Sequence, residues 1–219
     1  VIESLENNDI PGLDEDLKTR FLAESLFIRA HYFYHLVQQF GDIPMPLKPT
    51  NSVETTAHKT KVDEVWNQIV TDLEFAVENL PETYQASEFG HITKYAAMHH
   101  LSRVYLTLKR SDDDLKKALN YAEQVINSGK YSLVKSHAEL WDINNKNNSE
   151  VLFSVLYTQN AELNGDGNTA HMYFCSAYSE EHPAVKRVIE YGRPWSRERS
   201  SDFAISLFDK TKDQRWLSL

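Results

Sequence analysis

The chain has 219 residues, of which 41% are hydrophobic and 25% charged, with a formal net charge of -9. That composition is ordinary for a globular protein with one substantial core or two modest ones, and it excludes disorder as a reading of the chain. The acidic balance argues against nucleic acid, which needs a dense Lys/Arg face, and the single cysteine, Cys175, excludes an internal disulfide framework and a cysteine-built zinc site.

The first predicted element is a long helix. Leu17 and Phe21 followed by Leu22, Leu26, Ala30, Phe33, Leu36/Val37 and Phe40 recur at steps of three and four, one helical face. The pattern covers about 24 residues, roughly 36 Å at 1.5 Å per residue. Gly41 can adopt a positive φ, and Pro44, Pro46 and Pro49 lack the amide a continuing helix needs, so the chain must turn at Gly41-Asp42-Ile43-Pro44. A second helical stripe follows through Val62, Val65/Trp66, Ile69, Leu73, Ala76/Val77 and Leu80, with Thr60, Asp63 and Glu64 as its expected capped start and Pro81 as its end. A third runs from Thr93 to Leu108. Ser111 and the run Asp112-Asp113-Asp114 open a fourth, which carries Leu115, Ala118/Leu119, Ala122 and Val125/Ile126 and stops at Gly129; the acidic run reads as a helix cap rather than a metal site.

The third and fourth helices are joined by a few polar residues and so form an antiparallel hairpin with the small-against-large alternation of a tetratricopeptide unit; the first two are expected to form a looser pair. After Tyr131 the character changes. Glu150-VLFSVLY-Thr158 is expected to be a short buried strand, and 159–199 reads as loop despite its aromatic residues. No run approaches the roughly 20 apolar residues of a membrane-spanning helix. The predicted fold is mainly α, with tetratricopeptide-like hairpins over 13–130 as the scaffold and a loop-rich region with a short strand over 131–219 as the candidate ligand surface, within one domain spanning 1–219.

In order, F-I-R-A-H-Y-F-Y-x-L-V-x-x-F-G-D-I-P (Phe27 to Pro44), V-W-x-x-I-x-x-D-L-x-x-A-x-x-x-L-P (Val65 to Pro81), T-K-Y-A-A-M-x-x-L-S-R-V-Y-L (Thr93 to Leu106) and A-x-x-V-I-x-S-G-x-Y-x-L (Ala122 to Leu133) are joined by N-S-E-V-L-F-S-V (Asn148 to Val155), G-R-P-W-x-R (Gly192 to Arg197) and L-F-D-x-x-x-D-x-R-W (Leu207 to Trp216). Their order and spacing resemble the SusD/RagB glycan-binding lipoproteins of the outer membrane. The resemblance implies a helical, surface-exposed, non-catalytic protein that captures oligosaccharide and delivers it to a TonB-dependent, SusC-like transporter. It also implies a membrane link only through a lipid anchor outside this sequence. Members carry a signal peptide, a lipidated cysteine and a longer C-terminal part, so the chain is expected to be a fragment; Cys175 sits mid-chain and is not the lipidated residue.

Sugar binding needs flat apolar faces for the C–H side of a pyranose and polar groups for its hydroxyls. The loop supplies both, and Tyr173, Tyr178 and Trp195 are the aromatic candidates, with Asn164, Asp166, Asn168 and Arg193 as polar partners. Asn168-x2-His171-x2-Phe174 and Gly192-Arg193-Pro194-Trp195 also read as framework signatures. His31 and His35 share a helical face, but the glutamate of a zinc-protease motif is missing, so packed histidines are expected; His99 and His100 point apart. Asn160-x-Glu162-x-Asn164-Gly165 opens like a calcium loop, but His171 stands where the twelfth-position glutamate belongs, so structural calcium has little support and no cofactor is expected. The sequence holds no G-x-S-x-G elbow. A helical-repeat scaffold for protein interaction is the alternative function, and a glycoside hydrolase using Glu162, Asp166, Glu180 or Glu181 ranks third.

Overall fold

The computed structural model describes residues 1–7, 10–53, 55–142, 144–158 and 200–213, together with 160, 162, 168 and 173. Among these, α1 (Ile2–Glu6) is followed by α2 (Glu15–Phe40), α3 (Val62–Asn79), a 3-10 turn at Ala86–Glu88, α4 (Lys94–Leu108), α5 (Asp112–Asn127), α6 (His137–Leu140) and α7 (Asp202–Ser206). The fold is mainly helical, as the sequence predicts. It divides into two compact units, one of Val1–Leu133 with Asn147–Ser154 and one of Val134–Lys146 with Val155–Leu219.

In the first unit α2 packs on α3, α3 on α4 and α4 on α5. Tyr34 meets Trp66 edge-on at 5.8 Å while Arg29 meets Asp72 at 2.7 Å, a pairing that runs in opposite directions along the two helices and makes them antiparallel. Ala23, Ala30, Ala76 and Ala97 are fully buried between the larger Phe27, Ile69, Leu73 and Leu101, so small side chains admit close helix approach and large ones fill the remaining space. Of the expected α2 face, Leu26, Ala30, Phe33 and Val37 are buried, whereas Leu36 and Phe40 are exposed and line up with Ile28 and Tyr32 in an outward stripe.

Two expectations need correction. Thr60 does not cap α3. The capping residue is Lys61, without a side-chain bond, and the helix-start amide of Val62 donates instead to Asp42 Oδ1 at 3.0 Å. Lys61 Nζ also reaches Asp42 at 3.0 Å, and the Thr60 amide donates to the Ile43 carbonyl at 2.8 Å in an isolated antiparallel bridge. The second correction is the strand at 151–158, which does not form. The Val151 amide turns back onto the Asn148 carbonyl at 3.2 Å, and no described segment lies alongside to complete a ladder. β-branched residues favour a strand only where another edge can pair with it, and Phe153 packs onto helix side chains instead.

Ser111 does cap α5, accepting the Asp114 amide at 3.3 Å, and Gly41 leaves α2 with φ 68°. In the second unit α6 is capped by Ser136 and α7 by Ser201, through the Glu139 and Ala204 amides at 3.2 and 3.1 Å. No helix among the described residues is long and apolar enough to cross a membrane.

Candidate functional site

A groove of about 270 Å³ lies in the first unit, between the α3–α4 connection, the residues following α5 and the segment 147–154. Its first wall is held by charged groups from the start of α2. Tyr84 Oη donates to Glu24 Oε1 at 2.8 Å, and His91 Nδ1 lies 2.9 and 3.0 Å from the two oxygens of the same carboxylate. A carboxylate can only accept, so His91 carries its proton on Nδ1. The two rings held by Glu24 stack at 5.2 Å with planes 29° apart. The Arg20 guanidinium covers the Tyr84 ring at 5.4 Å and donates to Glu88 at 3.1 Å. Burial, and then the bond to Glu24, push the Tyr84 phenol well above its usual range, so it stays a neutral donor. These bonds fix the ring plane of Tyr84 before any ligand arrives.

The second wall is Tyr131, whose hydroxyl lies 3.1 Å from Thr93 Oγ1 and whose ring meets Tyr95 edge-on at 6.0 Å. The third is Phe153, seated on Phe27 at 5.3 Å and on His31 at 5.9 Å. Phe89 and Phe153 nevertheless remain 41% and 37% exposed, which leaves apolar ring surface available. Glu82, Lys130 and Asn147 supply polar groups along the lining. Such a set can stack on the C–H face of a sugar and hydrogen-bond its hydroxyls; covering about 60 Å² of a sugar face contributes roughly 1.5 kcal/mol at 25 cal/mol/Å². Two or three such contacts with hydrogen bonds reach millimolar affinity, about 4 kcal/mol, once the cost of association is offset.

Beneath Phe153 the histidines form a packed cluster. His31 meets His35 at 4.7 Å and His100 at 5.4 Å, edge-on and tilted, as expected of packed rather than ligating histidines. His100 is buried and His99 exposed, in keeping with their pointing apart. Among the described residues no group of three or more His, Cys, Asp or Glu is placed to hold a metal ion.

Of the loop residues nominated from sequence, Asn168 is exposed and Tyr173 half-buried. Asn164, Asp166, Tyr178, Arg193 and Trp195 lie outside the described residues. The start of the calcium-like run makes a local turn, with the Glu162 amide donating to Asn160 Oδ1 at 3.0 Å. Sequence reasoning passed over Tyr84, Phe89, Tyr131 and Phe153 as ligand candidates, because three segments distant in sequence must come together before they share a groove. The only local signal is two aromatics in a helix connection that also carries Gly90.

Comparison with known proteins bears on the same ground. A family model described as SusD-like, starch-binding associating with outer membrane, matches residues 1–106. SusD-like protein P2 of Formosa agariphila is 30% identical over 200 residues, covering 89% of this chain and 37% of that protein. Among solved structures, a laminarin-binding SusD-like protein is 26% identical with a TM-score of 0.67, covering 78% of this chain and 39% of that one. The chain belongs to the SusD/RagB family. Another structure, solved with a xylogluco-oligosaccharide, is 26% identical with a TM-score of 0.65 over 72% of this chain and 32% of that one. This SusD-like chain spans 28%, 29% and 37% of the lengths of three curated relatives, about a third of each.

Proposed function

We propose that this SusD-like chain is the helical-scaffold part of a non-catalytic glycan-binding protein of the outer-membrane surface. It binds oligosaccharide and passes it to a SusC-like, TonB-dependent transporter. The observation that carries the reading is the preorganised aromatic groove of Tyr84, Phe89, Tyr131 and Phe153, in a chain whose structural relatives include a laminarin-binding protein and one solved with a xylogluco-oligosaccharide. The loop residues Tyr173, Tyr178, Trp195, Asn164, Asp166, Asn168 and Arg193 are proposed as a further part of the ligand surface. Anchoring is proposed to be through a lipid.

Calorimetry of the full-length protein against laminarin, xyloglucan, starch and host-glycan oligosaccharides tests this. Saturable binding to one class is expected, weakened by Phe89→Ala. Absence of heat with every class, or release of reducing sugar from any of them, would count against the proposal.

A second reading, an interaction scaffold without its own glycan site, draws on the exposed stripe of Ile28, Tyr32, Leu36 and Phe40 at four-residue spacing on α2. It predicts that Tyr32→Glu abolishes capture of the transporter while Phe89→Ala, Tyr173→Ala and Trp195→Ala leave uptake unchanged.

A further inference from the structure

We propose that His31, His35 and His100 form an acid-sensitive latch that holds the segment 151–154 against α2 and α4, and that protonation of the cluster releases this segment and opens one wall of the groove. Only the consequence for ligand rests on the glycan reading; the latch itself does not.

The geometry makes Phe153 the capstone of a stack of rings. It sits on Phe27 and on His31; His31 touches His35 and His100; His100 in turn meets Phe27 at 5.6 Å and Tyr34 at 5.0 Å. His100 is only 5% exposed, and its Nε2 is buried with no hydrogen-bond partner among the described residues. A neutral imidazole tolerates that place as a flat, weakly polar ring, whereas an imidazolium there would lack both water and a counter-ion.

Among the described residues the surroundings offer no relief. From α2 the neighbours are His31, His35, Tyr32 and Tyr34, and from α4 they are His99, His100 and Arg103, whose guanidinium covers the Tyr34 ring at 5.6 Å. The packed segment brings Val151, Leu152, Phe153 and Ser154, none of which ionises, and Glu150 precedes it in an interaction of its own. The charges acting on His31 are those of His35 and Arg103, and those acting on His100 are those of His31, Arg103, His99 and His35, all cationic when they carry charge. Burial first, and these neighbours second, hold both imidazoles below their ordinary range, His100 at about 3. The first proton to enter therefore favours a conformation in which the half-buried His31 and the buried His100 gain water, and the part lying over them with the fewest bonds to break is 151–154. That segment is tied to the stack by ring packing rather than by a strand ladder.

Hydrogen exchange measured on the whole chain without glycan, at pH 7.5 and pH 5 and corrected for intrinsic rates, tests this. Protection of 149–154 is expected to fall by about tenfold or more at pH 5, the scale set by one buried imidazole, through a local opening insensitive to low urea, whereas 65–76 of α3 exchanges only through urea-sensitive global unfolding. His31→Gln with His100→Gln should abolish the difference, and His91→Gln, which alters the imidazole lining the groove, should leave it. Should the double variant not fold, His31→Gln alone is followed together with the His100 ring proton resonances. Titration of His100 in step with the loss of protection supports the latch. Equal protection at both pH values, exchange of 149–154 as urea-sensitive as that of α3, or a difference that survives the double variant or vanishes with His91→Gln would overturn it. Failure to bind any glycan would leave these exchange results standing and refute only the groove's proposed role.

Discussion

Replacing Arg29 by Met isolates the ion pair that joins the first two recognisable motifs of the chain. Asp72 is 2% exposed and accepts from Arg29 Nε and Nη2, both at 2.7 Å, and from Gln68 Nε2 at 2.8 Å. Without the guanidinium, Oδ2 loses its donor and Oδ1 keeps only the Gln68 amide. Two unit charges about 4 Å apart at an effective dielectric of 20 attract by about 4 kcal/mol, and breaking a buried pair from one side costs about 3–5 kcal/mol because the remaining charge stays desolvated. Asp72→Leu should cost less, since the Arg29 side chain is 17% exposed and can turn its charge to water. The double variant should lie within about 1–2 kcal/mol of the parent, because apolar groups of similar volume need no counter-charge. Trp66 reports on this helix pair if Trp141, Trp195 and Trp216 are changed to Phe, and urea titration then reads the midpoint. With a slope of about 2 kcal/mol/M, the Met variant should shift the midpoint down by roughly 1.5–2.5 M. A shift under about 0.5 M, or a double variant as unstable as the sum of the singles, would refute the assignment of this pair as a buried, coupled contact.

Three other outcomes follow from the same structure. Phe89→Ala should weaken oligosaccharide binding about tenfold, the loss of one stacking contact of roughly 1.5 kcal/mol, with a smaller effect on the urea midpoint than a core Phe→Ala because the residue is 41% exposed. Lys109 closes α4 at φ 42°, so Lys109→Gly should raise stability by up to about 1 kcal/mol, whereas Gly41→Ala, at φ 68° with open space around it, should lower stability by about 1 kcal/mol through backbone strain alone; thermal unfolding checks both. His100 has its folded pKa lowered to about 3 from an ordinary 6.5, so its contribution to stability is complete above pH 6.5 and is lost as pH falls toward 3. By pH 5 the loss should be about 2 kcal/mol, and it should be absent in His100→Gln when urea midpoints are compared across pH.

The four long helices were legible because their buried positions write the 3.6-residue period directly into the sequence, as Ala23, Phe27, Ala30 and Val37 do on α2. What failed was whatever depended on a distant partner. Thr60 was a sound local cap for α3, yet Asp42, twenty residues earlier, reaches the Val62 amide because the turn folds back on itself. The run 151–158 has strand propensity and no edge to pair with among the described residues. The Arg29–Asp72 pair needs the register of two helices, which no single-helix pattern contains. The groove is harder still, since Tyr84, Tyr131 and Phe153 come from three segments; the aromatic-rich loop that composition singled out contributes only Asn160, Glu162, Asn168 and Tyr173 to the described residues.

These contacts give α2 two different ends. At its C-terminal end Gly41 stops the helix, Asp42 starts α3 and Ile43 is buried beside the Thr60 bridge, so the turn fixes the register that brings Trp66 to Tyr34 and Asp72 to Arg29. At its N-terminal end Arg20 and Glu24 reach out to Glu88, Tyr84 and His91, and so position the α3–α4 connection rather than a helix. A substitution at the first end should therefore appear in stability and leave a folded groove intact, because the register is either kept or lost as a whole. A substitution at Glu24 should do the opposite. Glu24→Gln preserves shape and one acceptor but removes the charge that orders both Tyr84 and His91, so ligand affinity should fall with little change in unfolding midpoint. If both quantities fell together, α2 would be acting as one cooperative rod, and its aromatic wall could not be tuned separately from the scaffold.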